Sequence, residues 1–231
     1  MPEAPPDAVS SNDRPIPGAN PVFVADEMQR HQRLLRRGIA TIRVAVVAGR
    51  AVTFGVSVSP GAAYLVRARS ERIATVPRGS GGSGVLHLPG DLLWAIVLPR
   101  ADPRVGRDFV RAYGRLGEGV VRGLRAVGVS VRWVDPPGLV EDYCPLSSRG
   151  QVLEAGDRIV GAAAQHATGR ALLHHGGVSW TVDRACVDRL FSLPASGPSS
   201  RLGGLEEVAP ALDRASVAGS LERALALQFG V

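Results

Sequence analysis

The chain has 231 residues, 45% of them hydrophobic and 21% charged, which suits one domain with a full hydrophobic core. Two cysteines are too few for a disulfide scaffold, so we expect a reducing, cytoplasmic setting, and no apolar run is long enough to predict a membrane span. The formal net charge is +6, and because all 27 basic residues are arginines scattered along the chain, it favours an acidic protein partner over nucleic acid.

The N-terminal half is predicted to contain an arm, one helix and several short strands. Residues 1–19 hold five prolines and few apolar side chains, which predicts a disordered or loosely attached arm and is unlike a secretory signal. The pattern over 21–37 predicts a helix that ends at Gly38. Gly49-Arg50 predicts a hairpin turn between the first two strands. We expect strands over 41–47, 51–56, 72–76, 85–87 and 92–98.

The C-terminal half is predicted to alternate between helices and paired strands. Apolar residues at three- and four-residue steps predict the clearest helix over 105–127. Further strands are expected over 129–134, 158–165 and 170–175, a loop over 135–150, a helix over 183–191, a linker over 194–204 and a helix over 215–229. Strands that come largely in hairpins, with helices between them, predict an α+β fold built on a mainly antiparallel or mixed sheet flanked by α-helices.

A glycine-rich segment, RGSGGSG at 78–84, lies between two predicted strands. Several glycines allow the backbone to approach a ligand closely and to direct N–H groups towards it. The segment is not followed by a helix or by Gly-Lys-Ser/Thr, so it is neither a dinucleotide fingerprint nor a P-loop. On its own it fits a flexible hairpin equally well.

Three sequence blocks in order resemble the signature of the lipoate-protein ligase, octanoyltransferase and biotin-protein ligase superfamily. They are RGSGGSGVLH at 78–87 with Gly90-Asp91-Leu92, GDRIVGAAAQ at 156–165, and LLHHG at 172–176. The resemblance implies a biotin/lipoate ligase-like catalytic domain over 20–231, including a C-terminal helical segment over 204–231. It also implies transfer of an octanoyl or lipoyl group to a lysine of an acidic acyl carrier or lipoyl-domain protein.

The matching positions imply a set of residues that bind the acyl group or a nucleotide. For each histidine among them, structural hydrogen bonding is the alternative. The set comprises Arg78, Ser80, Gly81, Gly82, His87, Gly161, Ala163, His174, His175 and Gly176. Lipoate or octanoate would be the substrate, and we expect no tightly bound cofactor and no metal.

The segment Asp142-Tyr143-Cys144-Pro145 resembles the Tyr-Cys-Pro loop of superfamily members that work through an acyl-thioester. The resemblance implies that Cys144 takes the acyl group and passes it to a lysine of the acceptor. An inert loop cysteine is the alternative. In a ligase, ATP with Mg²⁺ would instead activate the free acid as an acyl-adenylate. Cys186, at an apolar position of a predicted helix, is expected to pack in the core.

Arg158 stands where the family carries its active-site lysine, and the chain contains no lysine at all. A guanidinium keeps the charge and can bind carboxylate or phosphate oxygens, but it does not act as a base near neutral pH. It could lower the thiol pKa electrostatically, with His87, His174 or His175 as the base. We therefore assign catalysis to Cys144 and Arg158. The alternative is a non-catalytic relative that binds an acyl ligand or a carrier protein.

Overall fold

The structure is a computed structural model that describes residues 21–106, 109–148, 150–194 and 197–230. The arm predicted over 1–19 lies outside these residues. In chain order the elements are β1 (Pro21–Val22), α1 (Val24–Arg37), β2 (Thr41–Val47), β3 (Ala51–Phe54), α2 (Ala63–Ser70), β4 (Ala74–Pro77), β5 (Val85–His87), β6 (Leu92–Pro99), α3 (Phe109–Arg125), β7 (Arg132–Val134), β8 (Gln151–Ala155), β9 (Arg158–Ala167), β10 (Ala171–Val178), α4 (Arg184–Phe191), α5 (Leu205–Val208) and α6 (Arg214–Phe229). Two short 3₁₀ turns cover Cys144–Leu146 and Pro198–Arg201.

The strands form a large and a small sheet, and most neighbouring strands are antiparallel. The seven-stranded sheet has the order β1-β2-β6-β10-β9-β8-β7, with only β1 and β2 parallel among the described pairs. The three-stranded sheet has the order β4-β3-β5, in which β3 and β4 are parallel. The predicted α+β fold with a mainly antiparallel, mixed sheet is therefore confirmed.

Strand β6 lies at the centre of the large sheet because its side chains are apolar on both faces. Trp94, Ile96 and Leu98 enter the main core beneath α3 and α6, whereas Ala95 and Val97 pack on the opposite face with Leu35 of α1 and with β10. A strand covered on both faces has no need for polar residues between the apolar ones. The unbroken apolar run over 92–98 follows from this position.

Helix α3 packs closely against α6 through glycines on its surface. A Cβ atom at Gly123 would lie 2.9 Å from Leu221 Cα, and one at Gly119 would lie 2.8 Å from Leu225 Cδ2. The two helices cover the large sheet on the face opposite α1. None of the described helices is long and apolar enough to cross a membrane.

The hairpin predicted at Gly49-Arg50 is wrong, because β2 and β3 belong to different sheets. Strand β2 pairs with β6, and β3 pairs with β4 and β5. Three elements were also missed, namely α2, β8 and β1, which occupies Pro21–Val22 where the helix was predicted to begin. Helix α2 buries Tyr64, Leu65 and Ala68, and β8 forms an antiparallel hairpin with β9. The predicted linker is ordered at its end, where Leu202 is buried against Ile159.

Candidate active site

The glycine loop, defined as residues 78–84, is bound by its backbone to the segment that carries Cys144. The Gly84 N–H donates to the Asp142 carbonyl at 2.9 Å, and the Cys144 N–H donates to the Gly84 carbonyl at 2.8 Å. Gly84 has no room for a side chain, since a Cβ atom there would lie 2.6 Å from Phe191 and 2.7 Å from Tyr64. The two loops, distant in sequence, therefore form one unit.

Within this unit, two side chains converge on Gly82. Its φ angle is +89°, and a Cβ atom there would lie 2.7 Å from Arg78 Nη2 and 3.3 Å from Cys144 Sγ. Only glycine adopts such a backbone conformation without strain and leaves this space open. The guanidinium and the thiol consequently face each other across a bare stretch of backbone.

The Cys144 thiol is 5% exposed, and its surroundings act on its pKa in opposite directions. Burial raises the pKa, while the charge of Arg78 and a hydrogen bond from the Ser83 backbone N–H lower it, with burial as the largest influence. The net effect is a pKa above the ordinary value of a cysteine. Arg78 is thus the cation that limits the cost of forming a thiolate.

Arg78 is itself buried and is held by hydrogen bonds to the glycine loop. Its Nε and Nη2 donate to the Gly81 carbonyl at 3.2 and 2.9 Å, and Nη1 approaches Thr53 Oγ1 at 3.4 Å. Thr53 Oγ1 also lies 2.9 Å from His87 Nε2. The predicted ligand-binding residues Arg78, Gly81 and His87 are therefore brought together, through a threonine that sequence reasoning missed.

The three histidines predicted near the site are all buried, and burial lowers the pKa of each. The pKa of His87 falls to about 3, with a contribution from Arg78, and that of His174 also falls to about 3. The pKa of His175 lies well below its ordinary value. At neutral pH these imidazoles are uncharged and weakly basic.

Two cavities meet at Cys144, between the glycine loop and the large sheet. The first is open to solvent and has a volume of about 390 Å³, and its floor is apolar because the residues of β9 and β10 that line it are small. This floor consists of Ala162, Ala163, Ala164, Gly176 and Gly177. Met28 and Leu93 line the same cavity, as do Arg78, His87 and His175. Such a cleft can hold an unbranched aliphatic chain with its reactive end at the thiol.

The second cavity is also open to solvent, has a volume of about 480 Å³ and shares Cys144, Ala163 and Ala164 with the first. Gly81, Gly82, Tyr113, Ala163 and Gln165 are among its lining residues. The Tyr113 hydroxyl donates to the Ala163 carbonyl, and the Gln165 side chain lies 3.1 Å from His174 Nδ1. Both cavities have a mostly apolar lining, and Cys144 lies where they meet.

Arg158 is the one predicted catalytic residue that the structure does not bring to Cys144. It begins β9, donates to the Ser200 carbonyl and lies 3.6 Å from Asp157 Oδ1. It lines neither cavity at the thiol. Its catalytic role stays a prediction.

Other predicted positions have structural surroundings that the sequence could not show. A Cβ atom at Gly161 would lie 2.5 Å from the Gly177 carbonyl, and one at Gly176 would lie 2.3 Å from the Trp94 ring. These glycines allow β9, β10 and β6 to approach each other. Cys186 is fully buried in the cluster beneath α4, which confirms its predicted core role. In the described part of the chain, no group of three or more His, Cys, Asp or Glu residues could hold a metal ion.

Sequence reasoning also missed Glu27, His31 and Met28, which helix α1 presents to this region. Met28 lines the apolar cavity, and Glu27 and His31 connect to His175. The only signal in the sequence was the spacing of four residues between Glu27 and His31, which places them on one helix face.

Comparison with known proteins supports the sequence resemblance. Residues 28–226 match the family model described as Lipoyl protein ligase A/B catalytic domain. The octanoyltransferase LipM of Exiguobacterium sp. is 28% identical over 155 residues, covering 62% of this chain and 55% of the relative. The LipM of Geobacillus kaustophilus is 26% identical over 137 residues, covering 55% and 49%. The chain thus spans about half the length of these curated relatives.

Solved structures share the fold at low sequence identity. A lipoate-protein ligase A bound with ATP has a TM-score of 0.72 at 19% identity, covering 92% of this chain and 84% of that structure. A bipartite lipoate protein ligase from Thermoplasma acidophilum, analysed with its E2 lipoyl domain, has a TM-score of 0.63 at 18% identity, covering 92% and 82%. At these identities the likeness shows the fold alone.

Proposed function

Because the chain belongs to the lipoyl protein ligase A/B catalytic domain family, we propose that it transfers an octanoyl or lipoyl group to a lysine of a lipoyl-domain protein. The relatives named octanoyltransferase LipM support the acyl group, and the archaeal ligase analysed with its lipoyl domain supports the acceptor. The net charge of +6 favours an acidic acceptor surface.

The observation that carries this proposal is the position of Cys144 between the glycine loop and the apolar cavity. The thiol faces Arg78 and receives the Ser83 N–H, and both interactions favour the thiolate. The cavity floor of small residues is suited to the aliphatic chain of the acyl group. This arrangement favours an acyl-thioester route over an inert loop cysteine.

The proposed transfer has two steps that balance. In the first, Cys144 Sγ attacks the carbonyl carbon of an acyl thioester on the donor, the bond to the donor sulfur breaks, and the thiol proton leaves with the donor thiol. In the second, the ε-amine of the acceptor lysine attacks the acyl-enzyme. A C–N bond forms, the C–S bond breaks, and an amine proton restores the Cys144 thiol.

The sequence left two other routes open, and each predicts a different dependence on cofactor. A ligase would use ATP with Mg²⁺ to activate free lipoate or octanoate, as the fold neighbour bound with ATP suggests. A binding-only relative would form neither an acyl-enzyme nor a modified acceptor. The guanidinium of Arg78 beside the Cys144 thiol favours the thiol route.

The test is the intact mass of the protein after mixing with an octanoyl-carrier protein. We expect an octanoyl-sized gain in the unmodified protein and in Cys186→Ala, the matched control, and none in Cys144→Ala. If no gain forms, free octanoate with ATP and Mg²⁺ is supplied together with a lipoyl domain. Modification of the lipoyl domain would then establish the ligase route, and no modification would leave a binding-only protein.

A further inference from the structure

A continuous chain of buried hydrogen bonds leads from the glycine loop to helix α1. Ser80 Oγ lies 2.7 Å from His175 Nε2, and His175 Nδ1 lies 3.2 Å from His31 Nδ1. His31 Nε2 lies 3.1 Å from Glu27 Oε1, which also accepts from Arg43 Nε at 2.5 Å. All of these residues except Arg43 are at most 4% exposed. These hydrogen bonds connect four separate parts of the fold through side chains alone.

The charge at one end of this chain determines the direction of every hydrogen bond in it. Although burial raises it, hydrogen bonds from His31 and Arg43 and the charge of Arg43 bring the pKa of Glu27 down to about 2. A carboxylate only accepts, so His31 Nε2 must donate to it. A neutral His31 then accepts at Nδ1 from His175, and His175 Nε2 accepts from the Ser80 hydroxyl.

The buried carboxylate next to His31 already has a cationic partner. Arg43 already compensates the Glu27 carboxylate, so a second buried cation would lack a partner charge. Burial and the charge of Arg78 keep His175 uncharged.

We propose that Glu27 is a positioning residue that, through His31 and His175, makes Ser80 a hydrogen-bond donor and holds the glycine loop against Cys144. Ser80 is fully buried and lines neither cavity at the thiol, so it acts through the loop. Its carbonyl also accepts from the Val56 N–H at 3.1 Å, which anchors the same residue from the other side. In relation to acyl transfer, this role rests on the proposed function.

The consequence for the thiol follows from the order of residues in the loop. Ser80 immediately precedes Gly81, whose carbonyl binds Arg78, and Ser83 supplies the N–H that binds Cys144 Sγ. Both of the contacts that favour the thiolate therefore depend on the loop conformation that Ser80 anchors. Loosening Ser80 would weaken them together and would raise the thiol pKa.

The direction of the hydrogen bonds between Ser80 and Glu27 is tested by nitrogen-15 NMR of the histidine rings, of which the protein has only five. In the unmodified protein we expect the proton of His31 on Nε2 and that of His175 on Nδ1. Glu27→Met removes the acceptor, and Arg43, which is 26% exposed, can turn to solvent. We therefore expect the ring proton of His31 to move to Nδ1 and that of His175 to move to Nε2. The matched control is Asp26→Met at the exposed neighbouring position. Opposite tautomers in the unmodified protein, or unchanged ones in Glu27→Met, would overturn the proposal.

The effect on the loop is tested by the pH profile of Cys144 alkylation with iodoacetamide in a Cys186→Ala background. We expect the apparent thiol pKa to rise by about one unit in Glu27→Met, which slows alkylation roughly tenfold at neutral pH. Ser80→Ala keeps the Glu27 ion pairs intact and should give the same shift, so the test does not depend on the folding of one variant. Profiles that do not move in either variant would refute the positioning role. Because no acyl donor is used, a failure of the proposed acyl transfer would be detected separately.

Discussion

Replacing Arg78 by methionine tests whether this residue supplies the charge that Cys144 requires. The distances from a Cβ atom on Gly82 place the guanidinium and the sulfur within about 6 Å, where Coulomb's law with an effective dielectric of about 20 gives roughly 3 kcal/mol. This corresponds to about 2 pKa units, or about a hundredfold in the thiolate fraction at neutral pH. We expect iodoacetamide to alkylate Cys144 about a hundredfold more slowly in Arg78→Met, with the same rate at high pH where the thiol is fully ionised.

Two further variants separate charge from position. Arg78→Lys loses the paired contacts with the Gly81 carbonyl but keeps the charge. Because the charge is retained, we expect most of the lowering of the Cys144 pKa to remain. Arg158→Met should leave the profile nearly unchanged, because that guanidinium binds the Ser200 carbonyl away from the cavities. If Arg78→Met gave the wild-type profile, or if Arg158→Met produced the large shift, the assignment of the cation to the glycine loop would be refuted.

Three other substitutions have defined outcomes. Gly82→Ala should abolish acyl-enzyme formation and cost about 1 kcal/mol in unfolding free energy, because of the positive φ and the contacts with Arg78 and Cys144, whereas Gly81→Ala, with open space around it, should retain activity. Met28→Ala removes a side chain that lines the apolar cavity, so it should extend the acyl chains accepted in competition assays. Val24→Ala, buried in the same cluster but outside the cavity lining, should not change them. Equal chain-length preferences in the two variants would exclude Met28 as a limit on acyl-chain length. Since the pKa of Glu27 lies at about 2 rather than 4.5, its stabilising contribution is complete above pH 4.5 and lost as the pH falls to about 2. Urea unfolding should show about 3 kcal/mol more loss across that window in the wild type than in Glu27→Gln.

The sequence predicts well those elements whose own residues show how buried they are or where they end. The apolar run of β6 reflects burial on both faces, and Gly38, with a φ of 66°, ends α1 as predicted. Partners of a strand are a different matter. Whether the chain after Gly49 returns to β2 or joins β4 and β5 depends on contacts with residues 74–87, and a two-residue turn signal contains no information about them.

For the candidate site, too, the sequence identified the loops and strands that form it but not all of the side-chain contacts between them. Sequence blocks identified the glycine loop, the Cys144 loop and the two histidine-bearing positions of β10, and the structure brings Arg78, His87, Cys144 and His175 around one cavity. The connection from His175 to Glu27 depends on how α1 packs on β10. A glutamate and a histidine four residues apart on a helix are most often a solvent-exposed pair, so their burial could not be predicted.

The position of Arg78 has a consequence for how the proposed transfer can proceed. A lysine can both stabilise a thiolate and accept its proton, whereas a guanidinium can only stabilise it. The imidazole of His87, which lines the same cavity, has a pKa of about 3. The pKa of the buried Cys144 thiol is raised above its ordinary value of 9.0. Proton transfer to His87 before the attack would therefore cost more than roughly 8 kcal/mol. The thiol proton must instead leave to solvent or with the departing donor thiol, so the rate of acyl-enzyme formation should rise with pH without a limit set by a histidine.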